Sequence, residues 1–417
     1  MVFNRKKAIE NAKKEDDINT NVYLDDNNIG ADLVLNVISN RANYNIRDYK
    51  IIDKLIDKEI LDDCSILRLE NEYELYSRLA ALSDRLINRL KYKLLKNKVI
   101  IGVGGQFSAG KSAFLNVIIG KKSNDKIELP TSISPSTAVP TYIVNGKKSE
   151  ILLSNIYGGE ISIDNAALLA ISHAFKEKYG LGLAQYISFI GITIPGFFEN
   201  IALLDTPGYS KSDNNIKDKF TDENKAKAQL RLVDYLIWLV DVQNGTLQNE
   251  DITFIKNLNL KNKILILVSK CDLKDYDSIV AIIEQVKKDA NNNGINFYDV
   301  VPFSTDEDSC YYESGVSCVE KFFSEACMFN ESVEDIQLQL NSIIKELKRI
   351  IDKEIKIIKK ERDIIGDIIF KSNDIMKILS FIKIYGEYNE KLTLLNLKSK
   401  DLIKVENEIH SRLSWFL

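Results

Sequence analysis

One octapeptide, Gly105-Gln106-Phe107-Ser108-Ala109-Gly110-Lys111-Ser112, limits what this 417-residue chain can fold into more than any other feature. It follows the apolar run KVIIGV and precedes AFLNVIIG, a helix-compatible run. A G-x-x-x-x-G-K-[ST] string between a strand and a helix demands a tight loop whose backbone N–H groups surround phosphate. Glycines let the backbone approach closely, and the helix N-terminus adds partial positive charge. Lys111 is placed to bridge the β and γ phosphates of a nucleoside triphosphate, and the Ser112 hydroxyl to ligate Mg²⁺.

The turn-forming residues mark out the domain that carries this loop. All six prolines and 16 of the 19 glycines lie between Gly102 and Gly315. Within that stretch, strand-like runs at Val99–Val103, Ile151–Ser154, Ile187–Ile194, Ile201–Leu204, Leu236–Val240 and Ile264–Val268 alternate with amphipathic segments. That alternation predicts βαβ units around a mostly parallel sheet, an α/β fold with helices on both faces. The flanks read differently. Leucines at 75, 79, 82, 86, 90 and 94 line one face of a helix, and from Ile336 to Ile368 apolar residues again recur at helical spacing. A periodic run that long implies a bundle or coiled-coil partner. The expected organisation is a polar, partly ordered extension over 1–64, a bundle helix over 65–98, the α/β domain over 99–330 and a helical arm over 331–417.

Two further strings complete a nucleotide site. Asp205-Thr206-Pro207-Gly208 follows the apolar IALL, which puts Asp205 at a strand end for the Mg²⁺ shell and the Gly208 N–H within reach of a γ-phosphate. Ser269-Lys270-Cys271-Asp272 follows KILILV, where guanine-binding enzymes carry [NT]-K-x-D. A carboxylate at Asp272 accepts from the guanine N1 and N2 donors, which adenine lacks, while the Lys270 stem lies over the base. Ser269 departs from the pattern, being too short for all the bridging bonds of an asparagine. Ser304, in Pro302-Phe303-Ser304-Thr305, is the candidate for a last base-contacting loop.

Composition removes other classes. With 56 Lys and Arg against 60 Asp and Glu, no global field favours nucleic acid. The five cysteines include no CxxC pair, so a zinc site or disulfide framework is not expected, and reduced thiols in a cytoplasmic protein are. Two histidines leave little for triad or His-metal chemistry. The first residues lack an apolar signal core, and no run approaches the ~18 apolar residues of a spanning helix.

Three stretches, GQFSAGKSAFLN, LPTSISPSTAVPT and ITIPGFFENIALLDTPGYS, resemble the bacterial dynamin-like large GTPases, and DYLIWLVDVQNGTLQNEDITFI is similar to the strand and helix after their second switch. The likeness runs over about residues 66–370. It implies a GTPase domain with a flanking helical bundle, Mg²⁺ and GTP or GDP, and a further monovalent cation, K⁺ or Na⁺. It makes Thr137 the switch-I threonine on Mg²⁺ and γ-phosphate, and Ser108 the loop residue that stabilises the transition state. Phe107 would wall the loop or join a dimer surface. Tyr209 stands where Ras-type enzymes place a water-orienting glutamine, and the family completes catalysis within a GTPase-domain dimer instead. The resemblance also implies higher or heteromeric assembly and a peripheral place at the inner face of the cell membrane. From Lys345 to Arg362, eight basic residues against four acidic ones offer a face for anionic lipid, or an ordinary solvated one. Two other readings stay open: a GTP-dependent scaffold with little hydrolysis, and a Ras-like or ribosome-assembly GTPase.

Overall fold

The computed structural model describes residues 21–41, 51–52, 54–56, 72–95, 97–122, 127–130, 139–171, 175, 178–180, 182–206, 222–328 and 332–413. The chain divides into two compact units, one of residues 1–44 and 97–330, the other of 45–96 and 331–417. The segment expected as a single extension is therefore shared between them.

In chain order the first unit holds α1 (Val22–Asp25) and α2 (Asn27–Ser39). The second unit's α3 (Glu72–Lys91) intervenes. Then come β1 (Val99–Gly105), α4 (Lys111–Lys122), β2 (Thr141–Asn145), β3 (Glu150–Asn155), β4 (Glu160–Ile163), α5 (Asn165–Ala170), β5 (Ile187–Ile194) and β6 (Ile201–Asp205). They are followed by α6 (Asp222–Leu230), β7 (Tyr235–Asp241), α7 (Asn249–Leu258), β8 (Ile264–Ser269), α8 (Tyr276–Asn292), β9 (Phe297–Pro302) and α9 (Cys310–Met328). The second unit closes with α10 (Val333–Lys371) and α11 (Ile375–Leu413).

The described strands make one sheet in the order β4-β3-β5-β2-β6-β1-β7-β8-β9. Neighbours from β6 to β9 run parallel, while β2 joins β6 antiparallel. β1, β7 and β8 are buried almost end to end, which is why they read as near-continuous apolar runs rather than alternating ones. All six strands expected from sequence are present. Close packing explains two of the β1 glycines. A Cβ at Gly102 would come within 2.6 Å of the Leu230 side chain, and one at Gly104 within 2.7 Å of the Trp238 ring.

The α2 helix is tied to this unit by a buried asparagine and by its own apolar face. Asn155, buried at the end of β3, donates to the Val37 and Asn40 carbonyls at 2.6 and 2.9 Å. Its Oδ1 accepts from the Tyr157 and Gly159 N–H groups, so the side chain's hydrogen-bonding capacity is filled. Leu33 and Val37 enter the sheet core.

In the second unit, Ser332 and Asp335 form a reciprocal capping box that starts α10. Ile336, Leu340, Ile343, Leu347, Ile351 and Ile358 then form its buried stripe. They share a core with Leu75, Leu79, Leu82 and Leu86 of α3 and with Leu392, Leu395, Leu402, Val405 and Ile409 of α11. Each of the two long helices spans 39 residues, and the first contains the whole periodic run from Ile336 to Ile368. Leu347 is fully buried there. Leu347→Ala is expected to cost about 2–5 kcal/mol of the second unit's stability, read by urea unfolding. A change below about 0.5 kcal/mol, the range of a surface substitution, would contradict this packing.

Candidate functional site

The sheet brings four sequence-distant segments to one edge. β1 lies between β6 and β7, and β8 and β9 follow. Because these five strands run parallel, the octapeptide after β1, Asp205 at the end of β6, the Ser269–Asp272 turn after β8 and Ser304 after β9 all lie at carboxyl ends. Open α/β sheets bind ligands there, where the chain turns from one side of a strand to the other.

The loop after β1 has an unusual backbone. Gly105 has φ +145°, Ser108 +61° and Gly110 +87°. The first and last use freedom that only glycine has, whereas Ser108 holds a left-handed conformation at a cost of about 1–3 kcal/mol. A Cβ at Gly105 would lie 2.6 Å from the Leu239 carbonyl oxygen, so that position admits no side chain. Phe107 is half-buried and Ser108 exposed, while Ala109 is buried. Lys111 is buried and its Nζ donates to the carbonyls of Gly105 and Gln106 at 3.2 and 3.0 Å. Gln106 turns its amide away from the loop, donating to Gln248 Oε1 at 2.8 Å and Asp251 Oδ2 at 3.2 Å.

Asp205 is buried, and its Oδ2 accepts the Ser112 hydroxyl at 3.1 Å. The next residue, Thr206, locks the strand end by donating to the Val103 carbonyl at 2.7 Å. Burial pushes the Asp205 carboxyl up to about 6, against the opposing pull of Lys111 and the Ser112 hydroxyl. Burial likewise lowers the Lys111 ammonium to about 8, opposed by Asp205. Both charged groups thus gain from ligands of opposite sign. Asp205 Oδ1 is buried with no hydrogen-bond partner. An orphaned carboxylate oxygen beside a serine hydroxyl fits a Mg²⁺ ion, which takes one or two protein oxygens and completes its shell with phosphate and water.

The base-side turn is built from strand ends. The Cys271 N–H donates to the Phe303 carbonyl at 3.1 Å, and the Phe303 N–H to the Val268 carbonyl at 2.8 Å. These bonds bring Ser304 beside Asp272, and the Ser304 hydroxyl donates to Asp272 Oδ1 at 2.7 Å. Ser269, short as it is, reaches the octapeptide: its hydroxyl donates to the Ala109 carbonyl at 2.8 Å and lies 3.3 Å from the Val240 carbonyl oxygen. Lys270 has φ +60°, the left-handed region again. The Cys271 thiol is buried and pushed up to about 11, mainly by desolvation, so it is a packing residue rather than a nucleophile.

The structure therefore brings together Gly105 to Ser112, Asp205, Ser269, Lys270, Asp272 and Ser304. Thr137 and Gly208, with Tyr209, lie outside the described residues. Sequence reasoning did not pick out Gln248 and Asp251, which hold Gln106 from more than 140 positions away. No local string signals such a tie. It follows only from the pairing of β1 with β7.

Residues 101–270 match the model of the dynamin family. Dynamin-like protein 2 of Campylobacter jejuni is 28% identical over 249 residues, covering 55% of this chain and 38% of that protein. An uncharacterised protein in the xynA 3′ region of Caldicellulosiruptor is 24% identical over 275 residues, covering 63% and 61%. The chain thus spans less than two thirds of the length of either curated relative. Two solved chains of a bacterial dynamin pair, described as oligomerised and as sensing and tethering membranes at long range, align at 16% identity with TM-scores of 0.43 and 0.44. They cover 82% and 93% of this chain and 50% and 71% of those chains.

Gly105→Ala combines a positive φ with a backbone collision, so it is expected to destabilise the first unit by about 1–3 kcal/mol. Thermal unfolding checks this, and a wild-type melting temperature would contradict the described loop.

Proposed function

We propose that this chain, whose residues 101–270 match the model of the dynamin family, binds and hydrolyses GTP, works as a dimer through that domain and couples the cycle to an anionic membrane. The observation that carries the proposal is the convergence of a phosphate loop, an orphaned carboxylate and an anchored Asp272 at the carboxyl ends of β1, β6 and β8.

In this reading the N–H groups of residues 105–112 and the start of α4 surround the phosphates. The Lys111 ammonium exchanges its two loop carbonyls for phosphate oxygens. Ser112, Asp205 and, from the resemblance, Thr137 would hold Mg²⁺, which would supply positive charge against the charge developing on the transferred phosphate. Asp272, fixed by Ser304, accepts from the guanine N1 and N2 donors, and Ser269 keeps this turn in register with the phosphate loop. A water oxygen forms the new bond to the γ-phosphorus as the bond to the β–γ bridging oxygen breaks, giving GDP and phosphate. Ser108, exposed at the head of the loop, and Gly208 assist at the γ-phosphate. The exposed place of Ser108 also supports completion of the site by a second copy, with Phe107 near that contact and K⁺ or Na⁺ as the further cation.

The second unit supplies the membrane element. No described helix is long and apolar enough to cross a bilayer, but the turn between α10 and α11 carries a bare apolar cluster. Phe370 is 90% exposed, Ile375 73% and Met376 74%, with Lys371 and Lys377 beside them, each 3.9 Å from an exposed aspartate, Asp367 and Asp374. Apolar side chains flanked by lysines suit the boundary of an anionic bilayer. The basic face at 345–362 is a second candidate, although Lys345 faces Glu406 and Arg362 pairs with Asp363.

Two experiments test the proposal. Wild-type protein should hydrolyse GTP and not ATP, with a specific rate that rises with protein concentration, and Lys111→Ala should lose turnover. GTP bound without turnover at any concentration would leave the scaffold reading instead. The double variant Phe370→Glu/Ile375→Glu should reduce co-sedimentation with phosphatidylserine vesicles about tenfold or more, given the apolar area withdrawn. Undiminished sedimentation would exclude the turn as the membrane element.

A further inference from the structure

The guanine-side turn is held by a residue on the neighbouring strand. Asp241 ends β7, and in the parallel pairing of β7 with β8 it stands level with Ser269. Its Oδ2 receives the Lys270 ammonium at 2.6 Å. Its Oδ1 accepts the Gln243 N–H at 2.9 Å and so caps the short turn Val242–Asn244. The carboxylate is 15% exposed and the lysine side chain 36%, so the pair sits at the edge of the site and is screened less than a free surface pair.

Lys270 needs such a holder. Its backbone is held in the left-handed region, at φ +60°, and a lysine stem with four rotatable bonds has no fixed direction unless its head is bound. The Asp241 carboxylate supplies the fixed point. The rest of the segment repeats the pattern, because Gln248 and Asp251 at its far end hold Gln106 of the phosphate loop. One stretch, residues 241–251, therefore touches the loops that take opposite ends of a nucleotide.

We propose that Asp241 is a positioning residue for guanine-nucleotide recognition: by binding the Lys270 ammonium it lays the lysine stem across the base site and, through the segment it begins, ties that site to the phosphate loop. The inference rests on the guanine reading above. It predicts that the Asp241–Lys270 pair contributes to affinity for GTP and GDP alike, since neither residue approaches the γ-phosphate.

Asp241→Asn separates this role from simple capping. The asparagine oxygen still accepts from Gln243, whereas its amide meets the Lys270 ammonium as a second donor. The expected result, by calorimetric titration of the full chain with Mg²⁺·GDP, is a Kd raised about 5- to 30-fold, the factor that about 1–2 kcal/mol makes. Asp241→Glu should restore part of that loss. In a double-mutant cycle, adding Asp241→Asn to Lys270→Met should weaken GDP no further than Lys270→Met alone. A Kd for Asp241→Asn within twofold of wild type overturns the proposal, as does full multiplicativity of the two substitutions. Failure of the guanine reading itself looks different. There the wild type shows no preference for GDP over ADP, whereas failure of this inference leaves that preference intact.

Discussion

Two opposite charges are buried beside one another at the carboxyl edge of the sheet, and much of the first unit follows from keeping them there. Burial drives the Lys111 ammonium down and the Asp205 carboxyl up, so each is held against its own desolvation. Neither is fully served by the protein. Lys111 leans on two loop carbonyls, and one Asp205 oxygen has no hydrogen-bond partner. A site with unmet charge of both signs, a few residues from a helix N-terminus, is electrostatically suited to a phosphate together with its cation.

Holding that arrangement requires rigid strand ends. Gly102 and Gly104 allow the Leu230, Val233 and Trp238 side chains to close over β1, and Thr206 fastens the end of β6 to Val103. The base-side turn is fastened in the same manner, to Phe303 and Val268, and Ser269 links it to the loop after β1. Phosphate and base loops are therefore not independent pieces. They are joined directly by Ser269 and a second time through residues 241–251.

Much of this was legible in the sequence, for reasons that particular residues show. VIIGVGG, YLIWLVD and ILILVS are buried on both faces, so they stand out as apolar runs. The octapeptide is legible because backbone geometry dictates its two glycines, and phosphate and metal chemistry its lysine and last serine. β4 was not expected, since Glu160 and Ser162 alternate with Ile161 and Ile163 over only four residues on an edge. α2 was missed too, because its asparagine-rich sequence has weak helical periodicity. Its place depends on Asn155, more than 110 residues away. The Ser269 departure looked like a loss of bridging bonds. In the fold its hydroxyl still reaches Ala109, a contact set by strand proximity that spacing alone does not reveal.

The central claim is that this edge of the sheet is a guanine-nucleotide site. Calorimetric titration of the full chain with Mg²⁺·GDP and, separately, Mg²⁺·ADP tests it most directly. The account predicts one GDP per chain and ADP binding at least about 100-fold weaker, the discrimination expected when a hydrogen-bonding site loses its partner groups. Equal affinity for the two nucleotides, or no binding of either, would contradict it.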